Sequence, residues 1–276
     1  MEALNEWLNH PAVQSGIAPF IVALITGELL NRLRLSGLAV IAGFCVTVYL
    51  AADFNFESLS AIKKIILSSL IAAAIAPLLS LAPSNWRWLR YLIAASSGGT
   101  VLWVLWPVLQ QQGIGQAVAY GTGITAYAIW LAVFMDRLAD MPARAGSAGI
   151  GLGIGVGASA LLGASALLGQ LGFAIGAACG AYLLIQMLSG RPLSCGRTFT
   201  LPLSLLCGLL APAAMMLAKL PWYCLPVLAA IPVVALMPLP RNWPLRQQIS
   251  ALSLLALASA AVCIFLVWRK IGGFPL

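Results

Sequence analysis

Apolar residues run along this chain in blocks of about 20, separated by short polar or proline-bearing stretches. A helix of that length crosses a hydrocarbon core of roughly 30 Å, whereas a membrane barrel would alternate in segments of about ten residues. Charges, prolines and tight polar turns divide the pattern into ten spans. They lie near 13–33, 35–52, 62–83, 89–109, 114–135, 146–169, 170–188, 198–218, 222–240 and 249–268. The fold this predicts is all-α, a polytopic membrane protein of about 10 transmembrane helices. Ahead of the first span, MEALNEWLNH has the pattern of a short interfacial helix, with Leu4, Trp7 and Leu8 on one face and Pro11 ending it.

The pattern also repeats. WPVLQQQ at 106–112 returns as WPLRQQI at 243–249, shifted by 137. At a shift of 135, Ala76-Pro77 meets Ala211-Pro212, and SGLAVIAG (36–43) lies on LGFAIGAA (171–178). This predicts one membrane domain made of two five-helix repeats, 1–138 and 139–276. Five crossings is an odd number, so the second copy enters the membrane inverted. Inverted repeats are a recurrent plan of secondary transporters, with the site near the midplane between the halves.

At the same shift Ser97 falls opposite Pro232. Ser96, Ser97, Gly98, Gly99 and Thr100 interrupt the fourth span with poor helix formers, and Pro232 interrupts the ninth. Paired interruptions point to a substrate site where unwound backbone lines a cavity. The competing reading makes them packing contacts and kinks. Tyr120 and Thr122 in the fifth span and Gln186 in the seventh add neutral hydrogen-bonding groups suited to a small polar solute, or to gluing helices together. Tyr120 and Tyr127 share a helical face with Gly123.

Composition then narrows the class. Of 276 residues, 62% are hydrophobic and 8% charged, with a mean hydropathy of +0.99. Soluble domains carry roughly a quarter charged residues. The net charge of +8 follows a topology: with the N-terminus outside, each inside loop receives two arginines (Arg32/Arg34, Arg87/Arg90, Arg137/Arg144, Arg191/Arg197, Arg241/Arg246). The outside segments receive only Lys63, Lys64, Lys219, Arg269 and Lys270. An excess of basic residues marks the cytoplasmic side, so both termini are expected outside the cytoplasm, in a bacterial-type inner membrane. No basic stripe with interleaved aromatics points to nucleic acid.

Glu28 is the one acidic residue well inside a span, a costly placement that suggests ion coupling. Arg32, four residues on, makes a snorkelling ion pair the simpler reading. GIGLGIGVG (149–157) lacks the strand and acidic residue of a dinucleotide fingerprint. Gly149, Gly153 and Gly157, and Gly172, Gly176 and Gly180 in the next span, read instead as close-packing ridges. Tryptophans near span ends, among them Trp86, Trp88, Trp103, Trp106, Trp222 and Trp243, read as interfacial anchors.

Six cysteines without metal-ligand spacing and a single histidine, His10, give no metal site, cofactor motif or catalytic constellation. The 5+5 plan in under 300 residues is similar to that of drug/metabolite-type exporters in architecture only, without their motifs or their usual terminal orientation. Two readings therefore stand. One is a secondary transporter or channel-like protein for a small polar solute. The other is a non-transporting membrane subunit that packs on a partner protein or a second copy, or binds lipid, quinone or pigment.

Overall fold

The computed structural model describes residues 10–33, 35–51, 60–81, 87–218, 220–240 and 242–272. The proposed N-terminal interfacial helix lies outside the described residues, as do Arg34, Trp86, Lys219 and Arg241. Within them the protein is all-helical. Helix α1 (Ala18–Asn31) continues a π turn (Val13–Ile17), and α2 (Ala39–Ala51) continues a 3₁₀ turn (Ser36–Leu38). Then follow α3 (Ala61–Ser80), α4 (Arg87–Leu109), α5 (Ile114–Arg137), α6 (Pro142–Leu162), α7 (Ala166–Ser189), α8 (Gly196–Leu217), α9 (Cys224–Ala235) and α10 (Leu245–Ile271).

Eight of these helical stretches are long and apolar enough to cross a membrane; Ser36–Ala51 and Cys224–Ala235 are shorter. The ninth element is therefore not the helix over 222–240 that the apolar pattern predicts. Its continuation reads Met237-Pro238-Leu239-Pro240 and Trp243-Pro244. Each proline lacks an N–H and pushes the residue before it out of the α region, so the helix stops at Ala235. The corresponding part of α4 carries only Pro107, in its last turn, and stays helical to Leu109.

Helix α6 is the hub. It packs against α7, α8, α9 and α10, and most of its residues are buried. Glycine makes this possible on several faces at once. A Cβ at Gly172 of α7 would lie 2.5 Å from Gly157, and one at Gly157 would lie 2.8 Å from the Phe173 backbone nitrogen. Gly151 and Gly155 let α10 approach through Ala256 and Ala260. The glycine-rich run is thus a set of close-packing ridges, as its spacing implies. Beyond the hub, α3 packs on α8, α4 on α5, and α1 and α2 on α7, while α3 and α4 touch only sparsely.

One end of the bundle collects the arginines. Arg197, at the start of α8, donates to the Leu79 carbonyl at the end of α3 at 3.0 Å. Arg144 at the start of α6 caps Ala235 (2.7 Å) and Met237 (2.8 Å) beyond α9, and Arg246 at the start of α10 caps Met187 of α7 (2.8 Å). These guanidiniums satisfy carbonyls that a helix terminus leaves without partners. The α7–α8 connection is tied down at the same end by Ser36 and Tyr182, both donating to the Ser194 carbonyl (2.8 and 3.1 Å), and by Gly196 N–H donating to Ala139 (2.9 Å).

Candidate functional site

The Ser-Ser-Gly-Gly-Thr stretch does not break α4. The helix runs unbroken from Arg87 to Leu109. Ser96 and Ser97 both donate to the Ile93 carbonyl, at 2.8 and 2.9 Å, and Thr100 donates to Ser96 at 2.8 Å. Hydroxyls bonded back to their own helix need no outside ligand. Gly98 admits α5, since a Cβ there would meet Ile129 and Thr125 at 3.0 Å, whereas Gly99 faces open space. The expectation of unwound backbone at this level is corrected: glycine's cost of about 1 kcal/mol each is outweighed by the rest of a helix packed along α5. Pro232 is buried in the last turn of α9, which continues past it to Ala235.

The residues singled out in the sequence are dispersed. Ser96, Ser97 and Thr100 line a cleft of about 460 Å³ between α3, α4 and α8. Thr122 lines a second, of about 690 Å³, between α4 and α5. Tyr120 lines a third, of about 430 Å³, between α5 and α9. Pro232 lines none of these three. Gln186 is fully buried in α7; its amide is 3.5 Å from the Tyr182 carbonyl and its Oε1 has no partner among the described residues. Glu28 and Arg32 are both exposed, and among the described residues no ion pair joins them. Both lie near the end of α1, and the expected pairing is not found there. None of these three clefts gathers the candidates.

The α5–α9 cleft is the most organised of the three. Tyr120, Gly123 and Tyr127 line it from α5, as their shared helical face requires, together with Trp130. Trp222, Leu225, Pro226 and Ala229 line the opposite wall, and Met215 of α8 also contributes. Trp130 Nε1 donates to the Ala229 carbonyl at 3.0 Å, fixing the two walls, and its ring stacks on Phe134 at 4.3 Å. Arg137 sits 4.7 Å over the Phe134 ring. The Tyr127 hydroxyl is buried without a partner among the described residues. The lining is almost wholly apolar, and Trp130 and Trp222 are exposed at its mouth.

A polar cluster escaped the sequence reading. Asp136, at the end of α5, accepts from Arg90 Nε of α4 at 2.6 Å and from Arg197 Nε of α8 at 3.1 Å. Its side chain is 8% exposed, against 14% for Arg197 and 38% for Arg90. The available signal was an acid closing a span on the side where the arginines accumulate.

The cysteines behave as packing residues. Cys179, Cys195, Cys207, Cys224 and Cys263 are buried, Cys45 partly so, and all are free thiols. Cys195, in the α7–α8 connection, has its thiol pushed up by burial, partly offset by its hydrogen bond with Tyr182. No metal-holding group of acidic, histidine and cysteine residues occurs among the described residues. Searches against protein-family models and against curated proteins find no match for this chain.

Proposed function

We propose that this integral membrane protein is a non-transporting subunit that acts by binding, and that the α5–α9 cleft holds an apolar ligand dissolved in the bilayer, of the lipid, quinone or pigment class. The carrying observation is the cleft itself: about 430 Å³, within the range of small-molecule sites. Four aromatic rings line it, of which Trp130 and Trp222 are exposed. Aromatic walls with few polar groups select flat or chain-like apolar molecules. A polar solute would find few hydrogen-bonding groups there. No residue in the cleft has the acid–base or nucleophile geometry of catalysis, so the protein is not proposed as an enzyme.

In this reading the arginine-rich end faces the cytoplasm and both termini lie outside. The test is extraction of the purified protein with organic solvent followed by mass spectrometry. The proposal expects one apolar species near one per chain. Recovery of bulk lipid alone, in bulk proportions, refutes it.

The transport reading keeps one supporting observation. Under the sequence repeat α3 corresponds to α8 and α2 to α7, and each packs on its counterpart, as an in-plane twofold axis requires. Against it, α6 packs closely on α9 and α10 while α1 does not pack closely on α4 or α5. Solute-specific flux in proteoliposomes would restore that reading.

A further inference from the structure

We propose that the α3–α4–α8 cleft is a binding site for an anionic phospholipid, its acyl chain lying along the groove and its phosphate meeting Arg90. The inference rests on the membrane embedding of the chain and on different residues from those of the α5–α9 cleft. The groove exists because α4 leans on α5 and α3 leans on α8, leaving a gap between α3 and α4. It runs along α4 from Leu89 to Trp103, about 21 Å at 1.5 Å per residue. That exceeds one leaflet of a hydrocarbon core of roughly 30 Å.

Its polar groups are already satisfied. Ser68 donates to the Lys64 carbonyl at 2.7 Å, and Ser96, Ser97 and Thr100 donate within α4. An apolar chain therefore covers this wall without stranding a donor, whereas a polar solute gains little from it. The far end is bounded by Trp103, over which Lys64 Nζ sits 5.0 Å from the ring centroid.

The near end carries the charge. Leu79 and Leu201 line the groove there. Arg197 bonds the Leu79 carbonyl and lies one turn before Leu201, so the Arg90–Asp136–Arg197 cluster closes this end. Two guanidiniums share one carboxylate, leaving one positive charge uncompensated. Arg90 is the more exposed member, and among the described residues its only hydrogen bond is made by Nε. Its Nη donors remain free for a phosphate, which guanidinium recognises in bidentate fashion. A phosphodiester of single negative charge neutralises the cluster; a zwitterionic headgroup brings a cation with it.

The experiment uses the full chain, delipidated in mild detergent. Dioleoylphosphatidylglycerol or dioleoylphosphatidylcholine is added, and bound lipid is read by native mass spectrometry. The wild type is expected to favour the glycerol lipid about fivefold, the value of one arginine near an anionic surface. Arg90→Gln should reduce that preference below about twofold while still binding both lipids. Ser96→Trp, which fills the groove, should lower the bound lipid of either kind by one molecule per chain; Ile75→Trp on the facing wall serves if that variant does not fold. Equal binding of the two lipids by the wild type overturns the proposal. So does an unchanged preference in Arg90→Gln, or full lipid binding in the groove-filling variant. Displacement of the lipid by 10 mM inorganic phosphate would reveal a phosphate site instead, and likewise overturn it.

Discussion

Replacing Gly153 with alanine tests the hub directly. Gly153 sits where α6 crosses α7, and a Cβ there would lie 2.8 Å from the Gly176 Cα and 2.9 Å from the Gly172 carbonyl oxygen. Carbon atoms rest at about 3.5–4.0 Å, so the two backbones must part by roughly 1 Å, and neither has a side chain that can swing aside. A gap of that size forfeits a quarter to a half of each affected dispersion contact. Overpacking of this kind costs about 1–3 kcal/mol, offset by about 1 kcal/mol of helix propensity. The net expectation is a loss of up to about 2 kcal/mol, and of about 1–3 kcal/mol relative to a glycine-to-alanine change made in open space. Gly99→Ala is the control: a Cβ there meets nothing within 4 Å, so the same chemical change should be neutral or mildly stabilising. Unfolding in detergent can be followed with a thiol-reactive dye, because five of the six cysteines are buried. If Gly153→Ala proves as benign as Gly99→Ala, the close approach of α6 and α7 is wrong.

Three further outcomes follow from the polar groups. Asp136→Asn removes the carboxylate between Arg90 and Arg197 and should cost about 2 kcal/mol, below the 3–5 kcal/mol of a fully buried pair because Arg90 is partly exposed; an unchanged unfolding midpoint contradicts the cluster's role. Tyr127→Phe removes a buried hydroxyl that has no partner, so it should be neutral or stabilising by about 1 kcal/mol, and a loss of that size would mean a missed hydrogen bond. Cys195 should resist maleimide in the folded protein at pH 7 and still at pH 8.5. Its raised thiol pKa keeps it protonated as the pH passes the ordinary cysteine value, and rapid modification, read by mass, would contradict its burial.

How much of this was legible in the sequence differs from element to element. Helix positions were, because apolar runs between charged or proline-bearing turns leave few alternatives; each of the ten described helices falls within or overlaps a predicted span. The glycine ridges were legible too, since spacing of four places them on one helical face, except at Gly180, where an added Cβ would meet only Phe20 at 3.9 Å. Where α9 stops was not, because the apolar run continues through Met237 while the prolines that end the helix are themselves apolar enough to sit inside it. In the Ser-Ser-Gly-Gly-Thr stretch the packing alternative holds over the break: intrinsic propensity counts residues, but hydroxyls bonded to Ile93 and Ser96 and the fit of Gly98 against α5 decide the outcome. The Asp136 cluster joins residues 46 and 61 positions apart, and no local pattern encodes such a pairing. The α5–α9 cleft was half visible, as the Tyr120–Gly123–Tyr127 face; its other wall depends on how α9 lies against α5.

If the α5–α9 cleft holds an apolar ligand, obstructing the cleft must expel it. Gly123 lines the cleft and a Cβ there meets nothing within 4 Å, so Gly123→Phe should fold and place a ring in the ligand's space. Native mass spectrometry of wild type, Gly123→Phe and the flank control Gly99→Phe would count retained apolar molecules per chain. One tightly held species is expected in the wild type and in Gly99→Phe, and its loss in Gly123→Phe alone. Equal retention by all three proteins would contradict it.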